Sequence, residues 1–230
     1  MLQRGQTEST DPGPVYIPDG LHYARGARQS IPLPDETDPP MTAAFLLFDG
    51  LTTLDFVGAY DPITRLRTMG FRPDFDWELC GRSESVTDGR GLRLSVDRVG
   101  ASLEAYDMLV VPGGKATRHL REDDAFLDWL QTGESVPLKA SVCTGSLLFG
   151  AAGFLEGVRA ATHPNALEAL AAYGARTSTE RVVDEGPIVT ARGVSAGLDL
   201  GLHLVERLAG KEARAAVATQ MDYPYDQTSG

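Results

Sequence analysis

Short, nearly continuous apolar runs alternate with longer segments of helical periodicity from Met41 onward. The run Ala43–Phe48 is typical of a strand that is buried on both faces, Tyr106–Val111 predicts another buried strand, and Leu138–Val142 predicts a further strand. Strands that alternate with helices predict an α/β fold, with a mostly parallel twisted sheet sandwiched by helices. The other predicted elements are strands at Asp76–Cys80 and Gly91–Val96, a hairpin of Val182–Val183 with Ile188–Ala191, and helices at Phe56–Met69, Arg118–Thr132, Thr144–Ala152, Asn165–Tyr173, Leu198–Leu208 and Glu212–Met221.

Residues 1–40 differ in composition from the rest of the chain. They hold half of the 14 prolines and show no periodic apolar pattern. This composition predicts a disordered or surface-draped extension over residues 1–40, followed by a single α/β domain over 41–230. Because a strand begins at Met41, a second interpretation stays open, in which Met41 is the true start of the protein.

The charge and the cysteine content narrow the classes of function. A formal net charge of -11 and a pI of about 4.8 argue against a nucleic-acid partner, which requires a basic face. Two cysteines in 230 residues are not a disulfide framework and are expected to be free thiols in a reducing cytoplasm. No apolar run reaches the roughly 20 residues of a membrane span, and no secretory signal is visible. We therefore expect a cytoplasmic protein that is not bound to a membrane.

Cys143 carries the strongest chemical signal. The run from Ala140 to Leu148 places it after a strand and before Thr144, Gly145 and a helix-forming segment. Such a strand-to-helix turn is a nucleophile elbow, which lifts the central side chain clear of the sheet. The helix start should also lower the pKa of the thiol. A buried structural cysteine is the alternative, and it is the interpretation preferred for Cys80.

Two further strand ends bring candidate residues to the same edge of the sheet, where ligands gather in open α/β folds. Asp55 follows the first strand and is either a catalytic acid/base or a helix N-cap. Gly113 and Gly114 follow the central strand, and their N–H groups, with that of Thr144, could form an oxyanion hole. A plain tight turn is the competing interpretation of the two glycines.

His163 could be the base of a Cys–His pair or an ordinary loop histidine, and the sequence alone leaves both open. The run from Gly193 to Gly197 has the outline of a serine elbow but is interpreted as a turn that enters a helix. No cluster of residues has the spacing of metal ligands, so we expect no metal and no cofactor.

These motifs resemble the ThiJ/PfpI superfamily, which is related to class I glutamine amidotransferases. The resemblance runs from Met41 to about Pro224 and rests on Leu54–Asp55, Val111–Gly114, Ser141–Ser146 and Arg159–His163. Within the superfamily the chain looks most like isocyanide hydratases, because Asp55 replaces the Glu of the chaperone-like branch and Thr144 replaces the His of the protease-like branch. The amidase-like domains of AraC-type regulators share much of the pattern.

The resemblance implies a flavodoxin-like fold and a lyase that hydrates a small-molecule isocyanide to an N-substituted formamide. It implies catalysis by Cys143, Asp55 and Thr144, substrate or charge binding at Gly113, Gly114 and His163, and no essential base at His163. It also implies a homodimer. Two other functions stay open: a redox or reactive-carbonyl scavenger or sensor, and an amidase-like module that binds a ligand.

Overall fold

The computed structural model describes residues 40–224, so the predicted extension lies outside the described residues except for Pro40. The strands are β1 Met41–Leu46, β2 Phe75–Gly81, β3 Ser85–Thr87, β4 Arg93–Ser95, β5 Arg98–Val99, β6 Met108–Val111, β7 Leu138–Val142, β8 Arg159–Ala161, β9 Arg176–Ser178, β10 Val182–Asp184 and β11 Ile188–Ala191. The helices are α1 Thr53–Thr68, α2 Thr117–Leu120, α3 Asp124–Gln131, α4 Gly145–Ala151, α5 Leu167–Ala171 and α6 Ala196–Gln220.

A seven-stranded sheet with the order β10-β11-β7-β6-β1-β2-β5 forms the centre of the described region. Its neighbouring strands are parallel except for the antiparallel pair β10–β11, which is the hairpin that the sequence predicts. The short pairs β3–β4 and β8–β9 lie outside this sheet. The predicted α/β class, with a mostly parallel sheet, is therefore confirmed.

The core lies on both faces of the central strands, as the apolar runs of β1 and β6 predict. Every residue of β6 is buried, and so is every residue of β7. On one face, Phe45 of β1 packs edge-on against Phe56 and Tyr60 of α1, with ring centroids 6.1 and 5.1 Å apart. These aromatic contacts fix α1 against the strand whose carboxyl end leads into it.

The helix boundaries depart from the sequence pattern where capping decides them. The segment predicted as one helix over Arg118–Thr132 forms two helices, α2 and α3. The break occurs because the Asp123 carboxylate accepts a hydrogen bond of 3.0 Å from the Phe126 N–H and so caps the start of α3. The last two predicted helices form the single element α6, which is interrupted at Gly210, where φ is 87°.

Helices α1 and α6 cross at small residues. A Cβ atom added to Gly201 would lie 2.8 Å from Cγ of Pro62 and 3.0 Å from the carbonyl oxygen of Ala59. A Cβ added to Gly58 would meet Gly197 at 3.4 Å, which is an ordinary contact. The close approach at Gly201 therefore sets how near α6 lies to α1, the helix that carries Asp55.

We predict that Gly201→Ala destabilises the protein by about 1–2 kcal/mol, because overpacking at the crossing outweighs the better helix propensity of alanine. Gly58→Ala is the matched control, since the same change on α1 meets no clash and should leave stability equal or higher. Denaturant unfolding of both variants measures the difference. A stability gain in Gly201→Ala would contradict a tight crossing.

Candidate active site

The candidate residues converge as their positions after the strands predict. Strands β7, β6 and β1 are adjacent and parallel, so their carboxyl ends lie at one edge of the sheet. Cys143 follows β7, Gly113 and Gly114 follow β6, and Asp55 lies in the first turn of α1, after β1. This edge is where open α/β sheets bind ligands.

Cys143 has the strained backbone of a nucleophile elbow. Its φ is +57°, in the left-handed region, which costs about 1–2 kcal/mol for a residue with a side chain. The Cys143 N–H donates to the carbonyl of Ala191 at 3.0 Å. Gly145 lets the next turn approach β6, because a Cβ there would lie 2.4 Å from the Val111 carbonyl oxygen. The surrounding contacts thus hold a conformation that the residue alone would avoid.

Asp55 is fully buried and does not cap its helix. Thr52 occupies the N-cap position, so the N-cap interpretation of Asp55 is wrong. Oδ2 of Asp55 accepts the N–H of Gly113 at 3.1 Å. A Cβ at position 113 would lie 2.8 Å from Oδ2 of Asp55 and 2.6 Å from the Thr144 nitrogen, so only glycine fits between these groups.

The two N–H groups expected to form an oxyanion hole are bonded within the protein. Gly113 donates to Asp55, and the Gly114 N–H donates to Oγ1 of Thr144 at 3.1 Å. The two glycines therefore hold the carboxyl group and the threonine hydroxyl in place. Their partners lie far away along the chain, which is why the local pattern did not reveal them. The Thr144 hydroxyl itself donates to the Gly114 carbonyl at 3.2 Å, and Thr144 lowers the pKa of the adjacent Cys143 thiol.

Burial dominates the electrostatics of the Cys143–Asp55 pair. Desolvation raises the pKa of Asp55 from 3.8 to about 7, although contacts with the Cys143 thiol and the Gly113 N–H act in the opposite direction. Desolvation also raises the pKa of the Cys143 thiol to about 12, and the Asp55 charge adds to that rise. The lower thiol pKa expected from the helix start is therefore wrong, because burial and Asp55 outweigh Thr144.

The contact between thiol and carboxyl is electrostatic more than it is a well-formed hydrogen bond. The two groups shift each other's pKa, yet Oδ1 of Asp55 has no hydrogen-bond partner of good geometry among the described residues. The electrostatic coupling depends on proximity and not on the direction of a thiol hydrogen. An unsatisfied carboxyl oxygen beside a thiol is a ready acceptor for a proton.

His163 is hydrogen-bonded within its own turn. Its Nδ1 accepts the N–H of Asn165 at 3.2 Å and so caps the 3₁₀ turn Pro164–Ala166. It forms no described hydrogen bond to Cys143 or Asp55. The residue before it, Thr162, is fully buried and donates to the Cys143 carbonyl at 3.0 Å. The sequence analysis did not single out Thr162, because only the folded structure shows which acceptor its hydroxyl meets.

Two absences hold for residues 40–224. No group of three His, Cys, Asp or Glu residues is arranged to hold a metal ion. The helices of this range lack the combination of length and apolar character that crossing a bilayer requires.

Comparison with known proteins matches most of the chain to a protein family. Residues 41–207 match the profile of the DJ-1/PfpI family. Isonitrile hydratase of Pseudomonas putida is 35% identical over 191 residues, which cover 80% of this chain and 81% of that protein.

Two other similarities widen the range of related functions. A ThiJ/PfpI family protein from Pseudomonas syringae has a similar crystal structure, with a TM-score of 0.74, 28% identity, and coverage of 91% of this chain and 85% of that one. The HTH-type transcriptional regulator GbdR of Pseudomonas aeruginosa is 29% identical over 83% of this chain, and the match spans 53% of the regulator. The family therefore includes relatives named as regulators as well as a named enzyme.

The raised pKa of Asp55 predicts a stability that depends on pH. The contribution of the Asp55 carboxyl to stability is fully present below its unfolded pKa of 3.8, and it is lost as the pH rises through the folded pKa of about 7. At about pH 8, the free energy of unfolding of Asp55→Asn should therefore exceed that of wild type by a few kcal/mol, and near pH 4 this difference should disappear. Denaturant unfolding at the two pH values measures it.

The matched control is Asp128→Asn, which removes an exposed carboxylate from α3 and should show no such dependence on pH. If Asp55→Asn instead changed stability equally at both pH values, the carboxyl of Asp55 would not bear the cost of a buried charge.

Proposed function

Since the chain belongs to the DJ-1/PfpI family, we propose that it is an isonitrile hydratase, a lyase that adds water to R–NC and yields the formamide R–NH–CHO. The observation that carries the proposal is the buried pair of Cys143 and Asp55 at the carboxyl edge of the sheet. The similarity to a named isonitrile hydratase over most of both chains supports it.

The first step is addition of the thiol across the terminal carbon. As the Cys143 sulfur forms a bond to that carbon, its proton passes to the Asp55 carboxylate, whose Oδ1 has no other described partner. Asp55 then delivers the proton to the same carbon, which bears the former lone pair. The product is a thioimidate, R–N=CH–S–Cys143, and Asp55 is a carboxylate again.

The second step is hydrolysis of the thioimidate. The Asp55 carboxylate takes a proton from water while the oxygen attacks the thioimidate carbon, and the nitrogen receives that proton. The tetrahedral adduct R–NH–CH(OH)–S–Cys143 then loses the sulfur, which recovers the hydroxyl proton through Asp55. The products are the formamide and the free thiol, so one water is consumed per turnover and no other reactant is needed.

The raised pKa values suit this chemistry. Between about pH 7 and about pH 12 the pair carries one negative charge, shared between a thiol with a carboxylate and a thiolate with a carboxylic acid. In that charge state the pair contains both the sulfur nucleophile and the proton that the substrate carbon must receive. Negative charge that develops on the sulfur is stabilised by the N–H of Thr144.

A second candidate function follows from the regulator relatives. Their match to most of this chain supports a ligand-binding module as the alternative. Reaction of Cys143 with an oxidant or an electrophile, without turnover, would indicate the scavenger or sensor. A homodimer in the cytoplasm stays a prediction from the family resemblance.

The experiment is an assay of formamide formation from a simple alkyl or aryl isonitrile. Wild type should turn over, and Cys143→Ala should lose at least about a thousandfold in rate because it lacks the nucleophile. The kcat/KM of wild type should rise with pH to a plateau, and the midpoint of the rise should lie near the Asp55 pKa of about 7. Cys80→Ala, which removes the other buried thiol, is the matched control and should retain activity.

Turnover that survives in Cys143→Ala would rule out the thioimidate route. Absence of turnover in wild type, with a saturable ligand that still binds Cys143→Ser, would favour the binding module.

A further inference from the structure

The carbonyl oxygen of Cys143 accepts two hydroxyl hydrogen bonds. Thr162 Oγ1 donates at 3.0 Å and Ser146 Oγ donates at 3.2 Å. Both side chains are fully buried. The mechanism above uses neither hydroxyl, although both meet the backbone of the nucleophile itself.

The two donors have different origins. Ser146 is three residues after Cys143 and moves with the elbow. Thr162 comes directly after β8, which is attached to the main sheet by the hydrogen bond from Ala161 N–H to Thr190 Oγ1 at 2.8 Å. Thr162 therefore anchors the elbow to β11, the strand that also accepts the Cys143 N–H through Ala191.

The Cys143 carbonyl and the Thr144 N–H are the two ends of one peptide group. That N–H lowers the pKa of the Cys143 thiol, because it favours negative charge on the sulfur. Hydrogen bonds to a carbonyl polarise its amide and make the N–H at the other end a stronger donor. Donors on the carbonyl oxygen can thus act on the sulfur through a single peptide unit.

We propose that Thr162 is a positioning residue for the nucleophile: its hydroxyl holds the Cys143–Thr144 peptide in the left-handed elbow and strengthens the Thr144 N–H as a donor to the sulfur. This rests on Cys143 being the nucleophile of the proposed function, but not on the isonitrile being its substrate. In the Thr162–His163 pair, the threonine therefore supports the nucleophile and the histidine caps a turn.

The test is the rate of alkylation of Cys143 by iodoacetamide at constant pH, followed by mass spectrometry of the Cys143 peptide. Thr162→Val keeps the shape of the side chain and removes the hydroxyl, and it should slow alkylation about three- to tenfold. Thr162→Ser restores the donor and should recover most of the rate. Thr177→Val, the same change at an exposed threonine of β9, is the matched control and should leave the rate unchanged.

Isonitrile turnover supplies the second readout, in which Thr162→Val should lower kcat and leave KM unchanged. Alkylation at the wild-type rate in Thr162→Val would overturn the proposal, and so would a rate in Thr162→Ser as low as in Thr162→Val. If Thr162→Val fails to fold, Ser146→Ala removes the other donor from the same carbonyl oxygen and should also slow alkylation of Cys143. An unchanged alkylation rate in Ser146→Ala would then overturn the proposal. Failure of turnover alone, with the alkylation pattern intact, would refute the hydratase and not the positioning role.

Discussion

Burial of the Asp55 carboxyl beside the Cys143 thiol is the constraint on which the site depends. Both groups are largely withdrawn from bulk water, so each charge is costly and two charges together are costlier still. The pair accordingly keeps one proton between a sulfur and an oxygen over the neutral range. A lone thiolate in water would be reactive, but it would lack the acid that must deliver a proton to the substrate carbon.

The fold maintains this arrangement through contacts that converge from separate elements. Gly113 lies between the Asp55 carboxyl and the Thr144 nitrogen, with room for no side chain. The Thr52 N–H donates to the Gly113 carbonyl at 2.9 Å, which joins the start of α1 to the end of β6. Behind α1, the crossing with α6 supports the turn that carries Asp55. The strain at Cys143 persists because both ends of that residue are hydrogen-bonded to the surrounding strands and loops.

The sequence predicts the parts of this site that depend on local pattern. Apolar runs identified β1 and β6, and the Cys-Thr-Gly turn after Leu138–Val142 identified β7 and the elbow. Hydrogen bonds between residues far apart along the chain could not be predicted. The Gly114 N–H donates to the Thr144 hydroxyl thirty residues away, and the Thr162 hydroxyl donates to the Cys143 carbonyl. The direction of the thiol pKa was also beyond the sequence, because it depends on how deeply the folded chain buries Cys143 and Asp55.

The most direct measurement is an infrared titration of the Asp55 carboxyl. Its protonated form has a C=O stretching band that can be assigned by subtracting the spectrum of Asp55→Asn. Desolvation of Asp55 predicts that this band disappears as the pH rises through about 7, in the folded protein and without any substrate. A band that disappears near the ordinary carboxyl value of 3.8 would contradict a carboxyl whose charge is costly to bury.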